Sequence, residues 1–329
     1  MISKKLTVQD IWDIYGKHLR SVEAQMMKDF ASPVPEISTV GGYIVAGGGK
    51  RLRPLLVALG AEISGYEGDE VRILGSIIET IHTASLLHDD IVDGAEVRRG
   101  KPAAHSVWGN SVIVLVGDFL YANALRIAVS LKNQPIMEAL SEATTRMTEA
   151  EILQLSRIAD PNITEEDYLA IVQGKTAALM SAACRVGAIL GKRPADEEEA
   201  LARFGMKLGM IFQIADDLLD YRASEEKLGK SLGKDLEEGK ITLPVIYLLR
   251  EASPQDVGRV KEIVQADTLE QGDLEHLMNL FARYHILESS TRRAEEILVQ
   301  TKSELHGFPP SRARDALLAI ADHALYREK

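Results

Sequence analysis

Asp89, Asp90 and Asp93 close an apolar stretch, IHTASLLHDDIVDGAEVRRGK at 81–101, that also carries His82, His88, Arg98 and Arg99. Each residue of a helix advances about 100°, so Asp89 and Asp93 share a face and Asp90 lies one step round. At an effective dielectric near 20 and a separation of about 5 Å, two carboxylates repel by roughly 3 kcal/mol. Such a cluster in a mostly apolar segment calls for a cation. Hard oxygen donors favour Mg²⁺ over zinc, and Mg²⁺ is usually held by one or two carboxylates, its own waters and phosphate oxygens of a substrate. The metal therefore implies a phosphorylated ligand. A second trio of the same spacing, Asp216, Asp217 and Asp220, lies in QIADDLLD at 213–220, with the lysine-bearing run KLGKSLGKD at 227–235 after it. One acidic trio alone is as consistent with a solvated helix face. Two trios, each preceded by apolar helix and followed by basic residues, are hard to explain as surface decoration.

Other residues fit the same chemistry. GGGKRLRP at 47–54 sets Lys50, Arg51 and Arg53 in a glycine-rich turn entering a helix, where free amides and basic side chains suit an anion. By itself the run reads equally as a helix end with solvated cations. His82 precedes Asp89 by two turns on nearly the same face, which puts it in the same cavity, although a lone histidine on an apolar helix is often hydrogen-bonded in the core. His88 points about 100° away from Asp89 and suits a supporting role. Ser85 lies one turn before Asp89 with Ala84 beside it, immediately below the metals. The loop 224–239 holds Lys227, Lys230 and Lys234 among glycines, a composition that suits a lid or an ordinary surface loop.

These motifs, together with VWGN at 107–110, GDFL at 117–120, QGKTA at 173–177 and GKSLGKDLEEGKITLP at 229–244, resemble in order the trans-polyprenyl diphosphate synthase family, on its long-chain side. The resemblance covers Gly41 to Leu249. It implies an all-α isoprenoid synthase fold of about a dozen helices around a central cavity, with two DDxxD motifs facing each other across it. It assigns metal contacts to Asp89, Asp93 and Asp216, and catalytic roles to both trios with Lys175 and Lys234. Lys50, Arg53, His82 and Arg99 are implied contacts of isopentenyl diphosphate; Arg98, Lys175 and Thr176 those of the allylic diphosphate. Gln213 is placed near the isopentenyl group, and Lys230 and Lys234 over the phosphates. Three Mg²⁺ with Lys175, Lys234 and Arg98 then offset six aspartates and an allylic diphosphate of charge about −3. Arg327 and Lys329 could cover a diphosphate. Family members are generally homodimers.

The elements that must position these residues are helical almost throughout: apolar residues recur at helical spacing and β signals are nearly absent. Helix starts stand at Thr164, Pro194, Ser253-Pro254 and Ser311; the glycines at 47–49 end one helix and Pro54 opens the next. No linker divides the 329 residues, so one compact domain over 1–329 is expected. A formal charge of −11 argues against nucleic acid as a partner, although local Lys and Arg with cations can still favour diphosphates. The single Cys184 cannot form an internal disulfide and fits a reducing cytoplasm. The amino terminus lacks the apolar run of a signal peptide. Val112–Val129 is apolar but interrupted by Asp118, Asn123 and Arg126, so a buried helix is expected rather than a transmembrane segment.

The family reaction is electrophilic: diphosphate leaves an allylic substrate, a carbocation forms, and the isopentenyl double bond attacks it. Short-chain members close the pocket with aromatics near the positions of Ala84 and Ser85. Both are small here, and a helix of about 20 residues is about 30 Å long, enough to line a tunnel for a product of about C40. Leu125 is a candidate floor residue. Alternatives are a shorter-chain farnesyl or geranylgeranyl synthase, a non-catalytic regulatory subunit, which commonly lacks some of these aspartates or lysines, a terpene cyclase, whose second motif usually carries Asn and Ser or Thr, and a helical metal-binding protein without catalysis.

Overall fold

The computed structural model describes residues 6–222, 233–266 and 268–327. Lys227, Lys230 and Lys329 lie outside the described residues. Two compact units divide the chain: unit 1 takes in residues 1–144, 179–205 and 305–319, and unit 2 takes in 145–178, 206–304 and 320–329.

Unit 1 begins with α1 (Val8–Asp29). The Thr7 hydroxyl accepts from the Asp10 N–H and the Asp10 carboxylate returns to the Thr7 N–H, a capping box that fixes the start. Ile11, Tyr15, Leu19, Val22 and Met26 recur every three or four residues and are buried, each such side chain contributing about 2 kcal/mol by leaving water. Helix α2 (Pro35–Ala46) gives way to the glycine run, where Gly48 has φ 67°, and α3 (Leu52–Ile63) follows with Pro54 in its first turn. The long α4 (Glu70–Val92) is buried along most of its length and packs on α1, α3 and α6 (Asn110–Ser130). A two-residue antiparallel ladder, β1 (Val97–Arg98) with β2 (Lys101–Pro102), joins α4 to α5 (Ala104–Trp108). It turns through Arg99 (φ 52°) and Gly100 (φ 74°), both left-handed as primed hairpin turns require.

Among the described residues α6 is the one helix long and apolar enough to cross a membrane. It buries Ile113, Val116, Leu120 and Ala124 in the unit 1 core and exposes Leu115 and Val129. Part of α7 (Gln134–Ser156) and most of α9 (Ala178–Leu190) complete the unit with the first part of α10 (Ala195–Arg222). Helices α3 and α9 approach closely: a Cβ at Gly60 would stand 2.8 Å from the Cys184 carbonyl oxygen. Cys184 itself is buried and free, and burial pushes its thiol up to about 12, as for an inert small hydrophobe.

Unit 2 holds α8 (Glu165–Val172), capped by Thr164 and Asp167 in a second capping box, and a wide π turn over Gln173–Ala177. After α10 come α11 (Lys234–Glu237), α12 (Leu243–Glu251), α13 (Pro254–Val264, capped by Ser253), α14 (Gln271–Arg283) and α15 (Ile286–Ser303). The last helix, α16 (Arg312–Tyr326), begins in unit 1 and ends in unit 2. Leu218, Tyr221, Leu243 and Phe281 centre the unit 2 core, Tyr221 meeting Phe281 edge to face at 5.1 Å.

Candidate active site

In unit 1 the glycine-rich turn delivers its cations to one place. Arg51 takes a left-handed backbone (φ 48°) and turns inward, donating to Glu23 at 2.8 Å, Glu79 at 2.9 Å and the Val45 carbonyl at 3.2 Å. It is 6% exposed, so it ties α1 and α4 to the turn rather than meeting ligand, unlike the expectation that grouped it with Lys50 and Arg53. The Trp12 indole donates to the Lys50 carbonyl at 2.8 Å, leaving the Lys50 side chain exposed. The Arg99 guanidinium donates to the Gly48 carbonyl, which brings the hairpin over the same turn.

His82 sits at the centre. Burial first, then the charges of Arg53, Arg99, Arg98 and Arg51, hold its pKa well below the ordinary value, so the imidazole is neutral. Burial likewise depresses Arg53, and Arg99 adds to that effect. With Arg51 and Arg98 held by carboxylates, Arg53 and Arg99 are the guanidiniums left to favour an anion there. Arg53, His82 and Arg99 influence one another's charge, and a small pocket is lined in part by Thr83, Leu87, Asp90, Arg98 and Arg99.

The first aspartate trio splits by role. Asp90 is 3% exposed and gripped by Arg98, whose Nε lies 2.6 and 2.7 Å from its two oxygens. Arg98, assigned to the allylic diphosphate by resemblance, is therefore engaged by protein. Asp89 and Asp93, four residues apart, remain half-buried at the end of α4. Tyr121 on α6 is pushed up to about 12 by burial and by the Asp89 charge. His88 packs on α6 instead of turning to the ligand side: Nε2 lies 3.1 Å from the Val114 carbonyl and 3.6 Å from Asp118, and its ring stacks on Tyr121. Gly117 makes room, since a Cβ there would meet His88 Nε2 at 2.2 Å. Ala84 is fully buried among Val22, Met26 and Leu120, whereas Ser85 is half-buried and donates to the His82 carbonyl at 2.9 Å. Leu125 is half-buried on α6.

In unit 2 the second trio splits in the same way. Asp217 is 3% exposed and receives the Tyr168 hydroxyl at 2.5 Å and the Gln213 amide at 2.8 Å. The Thr176 hydroxyl donates to Gln213 at 2.8 Å, which fixes the amide's orientation. Burial, then the neighbouring Asp235, pushes Asp217 up to about 8; burial and Asp220 raise Asp235 to about 6. Asp220 accepts from the Asp235 N–H at 3.2 Å. Asp216 is exposed and pairs with Arg327. Lys175 rises from the π turn to Gln154 at 2.6 Å and Glu151 at 2.8 Å. Gly174 permits the approach of that turn to α7, for its Cβ would fall 2.4 Å from that of Ala150. Lys234 is 55% exposed and paired with Glu238 at 2.9 Å. A cavity of about 110 Å³ is lined by Tyr168, Lys175, Thr176, Gln213, Asp217 and Asp235, among others.

Asp90 is paired with Arg98, two charges the expected balance already sets against each other, and burial beside Asp235 pushes Asp217 towards its neutral form. Protein groups within each unit thus relieve much of the repulsion that the sequence leaves to metal. Among the described residues no three His, Cys, Asp or Glu converge as a ready-made metal cage. Mg²⁺ needs no such cage, since it takes one or two carboxylates and completes its shell with water and phosphate. Asp89 with Asp93, and Asp216, are accessible oxygen donors of that kind.

Sequence reasoning missed Glu79, Glu151, Gln154, Tyr168 and Asp235. An acid three residues before His82 in an apolar run was a readable signal for Glu79. Tyr168 gave none, because its partner Asp217 lies 49 residues away.

A neutral histidine near arginines and half-buried carboxylates at DDxxD spacing on a mainly helical frame fit a helical enzyme of phosphorylated substrates. The sequence profile of the Polyprenyl synthetase family matches residues 34–281, and the chain belongs to that family; it is a prenyltransferase, a trans-polyprenyl diphosphate synthase. It is 38% identical over 328 residues to octaprenyl diphosphate synthase of Escherichia coli, covering 98% of this chain and 100% of that one. A decaprenyl diphosphate synthase from Rhodobacter capsulatus superposes with a TM-score of 0.93 at 36% identity, covering 98% and 99% of the two chains. A polyprenyl synthase from Caulobacter crescentus complexed with calcium and isoprenyl diphosphate superposes at 0.92, with 36% identity and 99% coverage of both.

Proposed function

We propose that the protein condenses an allylic diphosphate with successive isopentenyl diphosphates into a long-chain all-trans product of about C40, the scale of a tunnel about 30 Å long. The observation that carries this is α4, which holds His82, Asp89 and Asp93 on one helix while Arg99 of the following hairpin closes over the Gly48 carbonyl of the glycine-rich turn; burial, then the charges of Arg53 and Arg99, favours the neutral imidazole. Lys50, Arg53, His82 and Arg99 bind the isopentenyl diphosphate, and the neutral imidazole offers a hydrogen bond without adding charge. Lys175 and Thr176 orient the allylic diphosphate, with Gln213 held by Thr176. Asp89, Asp93 and Asp216 would hold Mg²⁺. When bound, the metal supplies Lewis-acid stabilisation of the charge on the departing diphosphate. Apolar walls exclude water from the allylic cation that departure leaves; the isopentenyl double bond attacks it, and the new cation gives up a proton to the released diphosphate, restoring a double bond.

Similarity to octaprenyl and decaprenyl synthases supports a long product, and the small Ser85 on the face of Asp89 supports an open cavity. Both units are read as one synthase domain, since the family match runs through each of them. The exposed Leu115 and Val129 of α6 support a homodimer, and the free Cys184 fits a cytoplasmic setting. The deciding experiment incubates purified protein with Mg²⁺, labelled isopentenyl diphosphate and farnesyl diphosphate, then sizes the products. Products no longer than twenty carbons would replace this reading with a short-chain one; no product at all would favour a non-catalytic subunit.

A further inference from the structure

Glu79 is a carboxylate for which the reading above has no task. It lies on α4 one turn before His82, is 4% exposed, and its Oε1 accepts from Arg51 Nη1 at 2.9 Å. The Arg51 side chain is itself 4% exposed and shared with Glu23 at 2.8 Å. The charge of Glu79 favours the ionised forms of Arg51, Arg53 and Arg99 alike, while Arg99 opposes Arg53, and Arg51 and Arg98 oppose Arg99. Glu79 thus holds Arg51 in the turn that carries Arg53 and over which Arg99 folds, one buried anion beside cations that would otherwise repel one another.

A buried charge acts on everything nearby, ligand included. Before substrate arrives, Glu79 lets the guanidiniums converge. Once a diphosphate is seated, the same carboxylate is a like charge next to it and opposes its binding. We infer that Glu79 is the internal counter-ion of the isopentenyl diphosphate subsite and sets how tightly that subsite grips a diphosphate. This rests on the assignment of Arg53, His82 and Arg99 to that subsite. A synthase that refills one subsite many times per product chain gains from a grip that is specific without being tight.

The test is calorimetric titration of the full chain with inorganic diphosphate in EDTA, where carboxylate-bound metal cannot contribute. Arg53→Gln should raise Kd about tenfold, a change of about 1.4 kcal/mol. Glu79→Gln should lower Kd about tenfold while lowering the melting temperature, so affinity and stability move in opposite directions. Unchanged affinity in Arg53→Gln would overturn the subsite itself. Weaker binding in Arg53→Gln with equal or weaker binding in Glu79→Gln would overturn the counter-ion inference alone. Because Glu79→Gln leaves a buried guanidinium short of a partner, the comparison is repeated in an Arg51→Met background, where the ion pair is already absent. There the added Glu79→Gln must again tighten binding; a merely structural Glu79 would leave affinity unchanged or weaken it.

Discussion

Arg327 Nη2 lies 2.5 Å from Asp216 Oδ1, and the Arg327 guanidinium stacks 3.7 Å above the Phe212 ring while donating to the Phe212 carbonyl at 3.0 Å. Its side chain is 7% exposed, although it stands near the end of the chain. On the metal assignment proposed above, Arg327 must release Asp216 when metal binds. Because Asp216 is 46% exposed, the pair is worth only about 1 kcal/mol after solvent screening. Arg327→Gln should therefore tighten Mn²⁺ binding, measured by electron paramagnetic resonance without substrate, by about fivefold. An unchanged constant would mean that the guanidinium and the metal do not compete.

Tyr168 donates to Asp217 from the opposite side of the buried carboxyl from Gln213. Tyr168→Phe leaves a buried oxygen short of a partner, a loss of about 1–3 kcal/mol. Thermal unfolding should register it, and turnover should fall while KM for isopentenyl diphosphate stays put, because the subsite proposed for it draws on α3, α4 and the hairpin. A change confined to that KM would contradict the placement.

The metal-free enzyme should lose stability as pH rises. Asp217 is raised from its ordinary value to about 8 by burial and by Asp235, and Asp235 to about 6. A carboxyl whose folded pKa exceeds its unfolded one binds more protons in the native state, so its contribution is complete below about pH 4 and declines until pH passes the folded pKa. Melting temperatures recorded in EDTA between pH 5 and pH 9 should fall, and Asp217→Asn should flatten the slope. A parallel slope in the variant would place the titrating group elsewhere.

Ala84 and Ser85 are adjacent in sequence but differ in setting. Ala84 is fully buried in packed core, so Ala84→Phe should cost about 1–3 kcal/mol of stability through overpacking. Ser85 is half-buried on the face of Asp89, and Ser85→Phe should shorten the product with little change in melting temperature. If chromatography gave identical product lengths for Ser85→Phe and wild type, the ruler would lie at another position, with Leu125 next to be tried.

Much of this architecture is legible in the sequence because local physics sets it. Thr164 with Asp167, Ser253 with Pro254 and the glycines at 47–49 mark helix ends through groups within a few residues of one another. The aspartate spacing likewise marks where acidic groups share a face. Partnership is what the sequence conceals. Arg98 and Arg51 look like free cations until folding sets Arg98 against Asp90 and Arg51 against Glu23 and Glu79. The π turn at Gln173–Ala177 leaves no periodicity signal that separates it from α-helix, yet it carries Lys175 to Glu151 and Gln154. Which aspartates stay open to metal is decided by such long-range pairings rather than by motif letters.

Composition makes α1 look like a dispensable lead-in, an amphipathic helix ahead of every motif. Its side chains say otherwise: Trp12 holds the Lys50 carbonyl, Glu23 holds Arg51, and Tyr15 donates to Glu62 on α3. Trimming the amino terminus to begin at the glycine run would remove the brace of the anion-binding turn while leaving every motif intact. Such a shortened chain would still be recognised by its signature residues and would still have lost the grip they depend on.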